Sequence, residues 1–312
     1  MTDAPVTLYQ AMPYLRLYKG KTFVVKAGGA VLAREELRAG LAADIACLHH
    51  FGIRVVLVHG GGPQATSLSK ALGLETKLVA GRRVTDAETL EVVKMTCGGL
   101  VNMDLVAALR GQGVRAVGLS GVDAGLVVAR KRGPVRVSPA PGEDPVEVDY
   151  GLVGDVETVD GALLEGFLSQ GLLPVIAPLV ADAQGQILNL NADTLSSAIA
   201  QALKAEKLLL LTDIDGVLRD AADPRTLVSH ADAAEVLELC SEGRVRGGML
   251  PKVQACVAAL RGGVRRTHIL GGMRRSALVT EVFTNAGCGT MIVESRERDA
   301  YQKELAKDAV AA

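Results

Sequence analysis

Two short apolar segments of the sequence end in consecutive glycines. Residues 22–26 precede Gly28 and Gly29, and residues 54–59 precede Gly60 and Gly61. When such strands end at the carboxyl edge of a parallel sheet, backbone N–H groups can approach an anion, and the following helix adds its positive dipole. A single glycine-ended strand is as easily a structural turn, but two of them together predict a phosphate cradle.

Two lysines lie next to glycines in this sequence. Lys26 follows three apolar residues and stands two positions before Gly28, so strand alternation places it at the same edge of the sheet, as a buried ammonium group that faces a ligand. Lys252 follows the segment 247–251 and opens a helical pattern, where its charge opposes the helix dipole. A bound phosphate would compensate that charge, while an ordinary solvated lysine is an equally good interpretation of Lys252 alone.

A polar cluster at residues 189–193 contains Asn189, Asn191 and Asp193. It comes directly before the apolar helical pattern of residues 195–203. From spacing alone, the favoured interpretation is a loop that ends in an N-cap aspartate.

Two nucleotide-binding motifs have partial matches. Residues 20–22 (GKT) match the last three positions of a P-loop motif. They precede a strand instead of following one, which excludes a P-loop. Residues 60–65 fit G-x-G-x-x-A after a strand, so a dinucleotide-binding oxidoreductase is a real alternative. About twenty residues later, however, Arg82 and Arg83 stand where an acidic ribose ligand belongs.

The elements around these clusters alternate between short apolar runs and longer amphipathic patterns, which predicts an α/β fold with a mainly parallel sheet. Strands are expected near residues 22–26, 54–59, 114–119, 126–137, 173–179 and 207–213, and a helix at 35–51 closed by Gly52. Residues 138–148 contain three prolines and are expected to form a mobile hairpin or loop. After residue 292 the chain becomes polar, which predicts a frayed helix or disordered tail.

Composition narrows the class of function. A chain of 312 residues usually divides into two lobes, here with a boundary near residue 181. A formal net charge of -1 disfavours nucleic acid and anionic membranes as partners and favours a small molecule. We expect no signal peptide, membrane span or zinc site, and reduced cysteines, all of which predict a cytoplasmic protein.

Several motifs occur together in the order of a known family. In sequence order they are 25–29 (VKAGG), 58–63 (VHGGGP), 81–85 (GRRVT), 118–121 (GLSG), 189–193 (NLNAD), 211–213 (LTD) and 247–252 (GGMLPK). The chain resembles the acetylglutamate kinases of the amino acid kinase family from about residue 8 to residue 292. Each motif alone is weak, but the combination is specific.

The resemblance implies a three-layer αβα sandwich with two lobes. An N-terminal helix (1–20) would serve assembly, residues 21–180 would bind N-acetyl-L-glutamate, residues 181–296 would bind ATP with Mg²⁺, and 297–312 would be a polar tail. The reaction would be phosphorylation of the side-chain carboxylate of acetylglutamate, the second step of arginine biosynthesis. It would need no protein ligand for a metal.

The resemblance also assigns roles to residues. Lys26 and Lys252 would neutralise the transferring phosphoryl group, with Asp193 holding both. The residues expected to bind phosphate and nucleotide are Gly28, Gly29, Thr212 and Asp213. Those expected to bind the substrate are Gly60, Gly61, Arg83, Asn189 and Asn191.

Three other functions compete with this one. A kinase of carrier-protein-linked aminoadipate or glutamate shares the fold, as would a non-catalytic sensor, and the dehydrogenase alternative predicts nicotinamide binding. The segment 189–193 resembles the acetylglutamate type better, and the presence of Lys26, Asp193 and Lys252 argues against a sensor.

The first twenty residues carry apolar side chains at Leu8, Met12, Leu15 and Tyr18, spaced as in an amphipathic helix too short to be stable alone. It must dock, either on its own subunit or elsewhere. The segment resembles the helix that links dimers into hexamers in arginine-inhibited acetylglutamate kinases. The resemblance therefore implies a hexamer, a trimer of dimers, inhibited by L-arginine. The inhibitor would bind at Tyr14, His268, Glu281 and Gly287, although residues 271–273 depart from the usual pattern of such sites.

Overall fold

The computed structural model describes residues 7–137 and 144–295. The predicted tail at 297–312, residues 1–6 and the first part of the predicted 138–148 loop lie outside the described residues. Residues 146–148 form the second strand of a hairpin, which agrees with the hairpin alternative for that segment.

The strands alternate with helices along most of the chain. In chain order the strands are β1 (Thr22–Ala27), β2 (Arg54–His59), β3 (Leu78–Val79), β4 (Arg82–Arg83), β5 (Ala116–Ser120), β6 (Val127–Lys131), β7 (Val135–Val137), β8 (Val146–Val148), β9 (Gly154–Val159), β10 (Leu173–Ala177), β11 (Leu179–Ala181), β12 (Ile187–Asn189), β13 (Lys207–Thr212), β14 (His230–Asp232), β15 (Arg266–Gly271) and β16 (Thr290–Val293).

The helices surround the strands. They are α1 (Leu8–Tyr18), α2 (Glu35–His50), α3 (Gly62–Ala71), α4 (Ala87–Val93), α5 (Asn102–Gly111), α6 (Gly161–Ser169), α7 (Ala192–Ala202), α8 (Ala233–Ser241), α9 (Met249–Arg261) and α10 (Ala277–Phe283). A π-helical segment, Lys94–Val101, joins α4 to α5 in one long helix, and short 3₁₀ turns occupy Asp123–Gly125 and Pro224–Thr226.

An eight-stranded sheet forms the centre of the fold, in the order β14-β16-β15-β13-β1-β2-β10-β5. The six strands from β15 to β5 are parallel, and β16 pairs antiparallel with β15. The expected α/β fold with a mainly parallel central sheet is therefore confirmed. Strands β2, β1 and β13 are neighbours in this one sheet, which therefore continues across both predicted lobes. The lobe boundary near residue 181 stays a prediction.

Side chains of the central strands point alternately into two cores. In β1, Phe23 and Val25 pack with α2, α5 and α10, whereas Val24 packs with α6, α7 and α9. This alternation is the period of two that a strand imposes, and it sandwiches the sheet between two helical layers. A smaller sheet in the order β12-β11-β6-β9 joins the core on the α7 side.

The helix α1 forms as predicted but packs differently. Its buried face consists of Ala11 and Tyr18, with Tyr14 and Leu15 partly covered, while Leu8 and Met12 are exposed. The prediction that Leu8 and Met12 belong to the packed apolar face of this helix is therefore wrong. The rest of the subunit offers a packing surface only to the last two turns of α1. The ring of Tyr18 packs edge-on against Phe23, at 5.2 Å between centroids.

Candidate active site

The carboxyl ends of four neighbouring strands meet at one edge of the central sheet. Ala27 of β1 pairs with His59 of β2 and with Leu211 of β13, and Thr212 pairs with Gly271 of β15. The two glycine turns that follow β1 and β2 are therefore neighbours, as the sequence predicted. The turn after β13 lies on the other side of β1.

Asp193 holds the two predicted lysines together at this edge. Its Oδ1 lies 2.7 Å from the Nζ of Lys26, and its Oδ2 lies 3.2 Å from the Nζ of Lys252. Strand β1, helix α7 and helix α9 each contribute one of the three groups. Three residues that are far apart in the sequence, from Lys26 to Lys252, thus form one charged cluster with a net positive charge.

Burial makes this cluster electrostatically unusual. Burial alone would raise the pKa of the Asp193 carboxyl, but the charges of Lys26 and Lys252 outweigh it and hold that pKa below its ordinary value. Burial lowers the pKa of Lys26, opposed by Asp193 and reinforced by the neighbouring charge of Lys252. One carboxylate shared by two ammonium groups leaves an excess positive charge, which an anionic ligand would neutralise.

Helix α7 turns Asp193 into the protein. Its N-cap is Asn191, whose Oδ1 accepts hydrogen bonds from the N–H of Asp193 at 2.8 Å and of Thr194 at 3.1 Å. The interpretation of Asp193 as an N-cap is therefore wrong, because the helix begins at Ala192 and Asp193 is its second residue. Asn191 satisfies the free N–H groups of the first turn, so the Asp193 side chain remains available to the lysines.

Lys252 is not a solvated surface residue. It lies in the first turns of α9, and only 15% of its side chain is exposed. Its ammonium group also donates to the carbonyl of Gly248 at 3.3 Å. The unfavourable position at the start of a helix is offset by the Asp193 carboxylate.

The four glycines of the cradle divide into two pairs. The N–H of Gly28 donates to the carbonyl of Leu211 at 3.0 Å, and the N–H of Gly60 donates to the carbonyl of Ala27 at 2.9 Å. Both are engaged within the protein, which corrects the expectation that all four bind anions. Among the described residues, the N–H groups of Gly29 and Gly61 have no protein acceptor.

Close packing explains why Gly29 and Gly61 must be glycine. A Cβ atom on Gly29 would lie 2.6 Å from the Cδ of Pro63, and one on Gly61 would lie 2.5 Å from the Sγ of Cys97. Gln64 ties the two turns together, because its Nε2 donates to the carbonyl of Gly29 at 2.8 Å. Gln64 was not predicted, and the sequence marks it only as the residue after the glycine-proline turn.

Arg83 lies beside the second glycine turn. Its Nη2 donates to the carbonyl of Gly62 at 3.0 Å and to Thr66 Oγ1 at 2.7 Å. Its guanidinium group is partly buried, which lowers its pKa, and it forms no ion pair within residues 7–137 and 144–295. A guanidinium group in this position can still accept a carboxylate in the bidentate geometry that arginine favours.

The remaining predicted residues lie around the cluster. Asn189 donates from Nδ2 to Thr85 Oγ1 at 3.1 Å, at the end of β12 and two residues before the α7 cap. Thr212 donates to the carboxylate of Asp213 at 2.9 Å. Burial lowers the pKa of Lys26, and the charge of the exposed Asp213 carboxylate partly offsets that effect, as expected for a carboxylate near the cradle.

A family profile decides the classification. Residues 21–271 match the Amino acid kinase family. The chain belongs to the amino acid kinase family. The predicted membership is therefore confirmed over most of the chain.

Similar curated proteins within this family carry the name acetylglutamate kinase. Acetylglutamate kinase of Symbiobacterium thermophilum is 46% identical over 292 residues, 94% of this chain and 98% of the relative. Acetylglutamate kinase of Myxococcus xanthus is 48% identical over 291 residues, 93% of this chain and 94% of the relative.

Solved structures agree on the amino acid kinase fold. N-acetylglutamate synthase from Neisseria gonorrhoeae, complexed with coenzyme A and N-acetyl-glutamate, superimposes with a TM-score of 0.78 at 32% identity. That comparison covers 92% of this chain and 62% of the synthase, so this chain spans less than two thirds of the synthase's length. Carbamate kinase from Giardia lamblia, at 19% identity and a TM-score of 0.62, shares the fold over 88% of this chain and 99% of the carbamate kinase.

This amino acid kinase also brings His268, Glu281 and Gly287, three of the four residues predicted to bind arginine, into a second cluster, while Tyr14 contacts a neighbouring segment. His268 Nδ1 lies 2.7 Å from Glu281 Oε1, and Tyr14 hydrogen-bonds to Asn285. A Cβ on Gly287 would lie 2.7 Å from Glu281 Oε2. The second Glu281 oxygen accepts from the N–H groups of Cys288 and Gly289 at 2.7 and 2.9 Å, so the carboxylate is fully engaged.

Lys207 completes this second cluster and was not predicted. Its Nζ lies 3.0 Å from His268 Nε2 and 5.1 Å from the centroid of the Tyr18 ring. Burial lowers the pKa of Lys207 to about 7 and that of His268 to about 4, whereas hydrogen bonds and charge hold that of Glu281 at about 2 despite burial. Its position at the start of a buried strand was the only signal in the sequence.

The described residues contain no group of three or more His, Cys, Asp or Glu side chains that could hold a metal ion. All five cysteines are free thiols, as expected. The long helix Ala87–Gly111 is apolar enough to cross a membrane by length and composition, although buried core helices pass the same test and nearly half of it is buried. The expected absence of a membrane partner stays a prediction.

Proposed function

We propose that this kinase transfers the γ-phosphoryl group of ATP to the side-chain carboxylate of N-acetyl-L-glutamate, forming N-acetyl-L-glutamyl 5-phosphate for arginine biosynthesis in the cytoplasm. The observation that carries the proposal is the buried Asp193 carboxylate shared by Lys26 and Lys252 beside the Gly29 and Gly61 amides. The acetylglutamate kinase names of the curated relatives support this substrate over the carrier-linked aminoadipate alternative.

The geometry suits phosphoryl transfer between two anions. The acceptor carboxylate is already ionised near neutral pH, so the reaction needs no general base. Catalysis then consists of in-line positioning and of neutralising negative charge on the transferring group. Lys26 and Lys252 supply that charge, and Asp193 fixes both ammonium groups without cancelling it.

The backbone amides provide the second means of charge stabilisation. Within the part of the chain that the structure describes, the N–H groups of Gly29 and Gly61 have no protein acceptor, and both lie at the edge where β1 ends, close to Lys26. Preorganised N–H groups of this kind stabilise developing charge without reorganisation at the moment of reaction. We assign them to the transferring phosphoryl group.

The proposal assigns recognition of the rest of the substrate to Arg83, Asn189 and Asn191. The guanidinium group of Arg83 lies next to the Gly62 carbonyl, so a carboxylate bound there lies beside the cradle. We assign Arg83 to the α-carboxylate of acetylglutamate and Asn189 and Asn191 to its amide portion. Thr212 and Asp213, at the end of the neighbouring strand β13, are assigned to the nucleotide side.

Mg²⁺ fits this site as a companion of ATP. Mg²⁺ usually binds through one or two carboxylates together with substrate phosphates, so the absence of a metal cage among the described residues is compatible with it. In contrast to the expectation of no protein ligand for a metal, the exposed carboxylate of Asp213 would help to hold it. When bound, the ion would neutralise charge on the nucleotide phosphates.

The experiment is a coupled ADP-release assay with purified protein and MgATP. N-acetyl-L-glutamate is expected to give much faster ADP release than unacetylated glutamate, aspartate or aminoadipate. Equal rates with acetylated and free glutamate would contradict the assignment of the substrate. Nicotinamide binding without ADP release would favour the dehydrogenase alternative.

We further propose that the enzyme is a hexamer inhibited by L-arginine. The exposed side chains of Leu8, Tyr9 and Met12 on α1 leave an apolar surface that a second subunit could cover. Tyr14 of the same helix hydrogen-bonds to Asn285, two residues before Gly287. A solved N-acetylglutamate synthase complexed with L-arginine, 30% identical and covering 92% of this chain and 64% of the synthase at a TM-score of 0.78, supports arginine as the ligand.

A further inference from the structure

The histidine that ends β2 is buried in a polar network that the proposed chemistry does not use. His59 is 0% exposed, and Asn102 at the start of α5 is 5% exposed. The Nδ2 of Asn102 lies 3.1 Å from His59 Nε2, and the Nδ1 of His59 lies 3.1 Å from the carbonyl oxygen of Gly60. A buried network of this kind fixes orientations, since an unpaired polar group would be costly there.

The network permits only one tautomer of His59. Asn102 Nδ2 also lies 2.9 Å from the carbonyl of Val175 and 3.4 Å from that of Leu119, so this end of the amide must be the NH₂ donor. His59 Nε2 therefore accepts a hydrogen bond, and the ring proton belongs on Nδ1. That proton is donated to the Gly60 carbonyl. Burial lowers the pKa of His59 to about 4, which keeps the ring neutral.

The Gly60 carbonyl shares a peptide plane with the N–H of Gly61. In a trans peptide these two groups point in opposite directions, and the described residues contain no cis peptide bond. The carbonyl is turned towards the α5 side of the sheet, where His59 and Asn102 lie. The Gly61 N–H must therefore point to the opposite side, where Lys26 and Asp193 lie.

Alternation along the strands independently supports these two sides. Val55 and Leu57 of β2 pack in the core with α5, so His59, two residues further on, projects to the same side. Val24 of β1 packs in the core with α7, so Lys26 projects to that side. The ring and the ammonium group thus lie on opposite faces of one sheet edge, with the Gly60–Gly61 peptide between them.

We infer that His59 and Asn102 are positioning residues that hold the Gly61 N–H towards the transferring phosphoryl group. His59 fixes the peptide through its carbonyl, and Asn102 fixes the tautomer of His59. Gly118 makes room for this arrangement, because a Cβ there would lie 2.2 Å from Asn102 Oδ1. The inference rests on the proposed phosphoryl transfer and adds residues that do not touch the substrate.

Two substitutions of His59 distinguish a positioning role of its Nδ1–H group from a role in packing alone. In His59→Asn the side-chain NH₂ can replace the Nδ1–H donor to Gly60, whereas in His59→Gln the NH₂ lies further out, near the Nε2 position. We expect His59→Gln to lower kcat about 10- to 100-fold, as small misplacements in active sites do, with a much smaller change in KM. We expect His59→Asn to recover most of that loss.

Two further measurements keep the test independent of folding and of the substrate. Leu109→Ala removes a buried side chain from the same helix as Asn102, so it is expected to lower stability while kcat stays unchanged. Imidazole ¹⁵N NMR of the wild type is expected to show a proton on Nδ1 of His59 and none on Nε2. The Gly61 amide resonance is expected to shift when AMP-PNP with Mg²⁺ is added.

The outcomes are distinguishable from failure of the proposed function. A wild type that fails to phosphorylate acetylglutamate would contradict the function, while the NMR measurements would still test the peptide geometry. Near-normal kcat in both His59 variants, or equal loss in both, would overturn the inference. A proton on Nε2 would overturn it as well.

Discussion

The carboxylate of Asp193 and the ammonium group of Lys26 form an ion pair of 2.7 Å in which each side chain is only 6% exposed. Buried ion pairs seldom add much stability, because desolvation of the two charges offsets their attraction. Breaking one by removing a single partner is nevertheless costly. The pair is thus better explained by the placement of charge than by stability, and this leads to the first prediction.

Asp193→Asn is expected to lower both stability and activity. The neutral amide leaves Lys26 buried without a counter-charge, which costs about 3–5 kcal/mol in comparable cases. The lysines also lose their common anchor, and kcat should fall about 100-fold. Urea unfolding and steady-state kinetics measure the two effects.

Asp155→Asn serves as the matched control. This substitution breaks the ion pair between Asp155 and Arg132, whose closest atoms are 2.6 Å apart. Because this pair is more exposed than the Asp193 pair, the expected loss of stability is below about 1 kcal/mol. If the Asp193 and Asp155 variants lost equal stability and kept full activity, the central role of Asp193 would be wrong.

Lys252→Ala is expected to lower kcat about 10²- to 10³-fold, because its charge matters most in the transition state. The KM for acetylglutamate should change far less. Arg261→Ala, an exposed charge removed from the last turn of the same helix, should leave both constants unchanged. A near-normal kcat in Lys252→Ala would show that this lysine has only a structural role.

Asp44 provides a test of pH dependence away from the active site. Asp44 lies on α2, and its Oδ2 accepts a hydrogen bond of 3.1 Å from the N–H of Leu278 in the first turn of α10. Burial raises the pKa of the Asp44 carboxyl to about 6. The folded-state pKa lies above the unfolded value of 3.8, so the folded chain holds more protons between these values. Stability therefore falls as pH rises through this range, by about 2 kcal/mol between pH 4 and 6 and by about 3 kcal/mol in total.

Asp44→Asn removes this titration while keeping an oxygen that can accept the N–H of Leu278. Urea unfolding at pH 4, 5, 6 and 7 should show wild type losing stability relative to the variant as pH rises. A difference between the two proteins that stays constant across this range would contradict the prediction.

The regular elements were largely predictable because their signals are local. The bounds of β2 match the predicted strand, and β1 and α2 differ from prediction by one residue at one end. Apolar runs and periodicity determine such elements without reference to the rest of the chain. Burial of Lys26 was predicted for the same reason, since it follows three apolar strand residues.

The site was predictable as a set of residues but not as a set of hydrogen bonds. Sequence spacing favoured Asp193 as an N-cap, and only the start of α7 shows that Asn191 caps it instead. The N–H groups of Gly28 and Gly60 are engaged by carbonyls from neighbouring strands, which local sequence does not specify. Lys207 and Asn102 act across large sequence separations and carry no local motif.

Assembly can be tested on the N-terminal helix. Deleting residues 1–18 is expected to yield active dimers that ignore L-arginine. The deletion also removes the buried Tyr18, so a Leu8→Glu, Met12→Glu double variant is the sharper experiment, since both side chains are exposed in the single chain. It should also dissociate hexamers to dimers in light scattering.

Wild-type protein that scatters as a dimer would refute the assembly proposal. Unchanged wild-type activity at millimolar arginine would refute the regulatory one. The two results are independent, because a hexamer can exist without inhibition.

The most direct measurement of the central claim is trapping of the product with hydroxylamine. An acyl phosphate formed on the acetylglutamate side chain reacts to give a hydroxamate, which is quantified as its iron(III) complex alongside released ADP. The account predicts one hydroxamate per ADP in the wild type and a parallel loss of both in Lys252→Ala and Asp193→Asn. ADP release without hydroxamate would show that water, and not the substrate carboxylate, accepts the phosphoryl group.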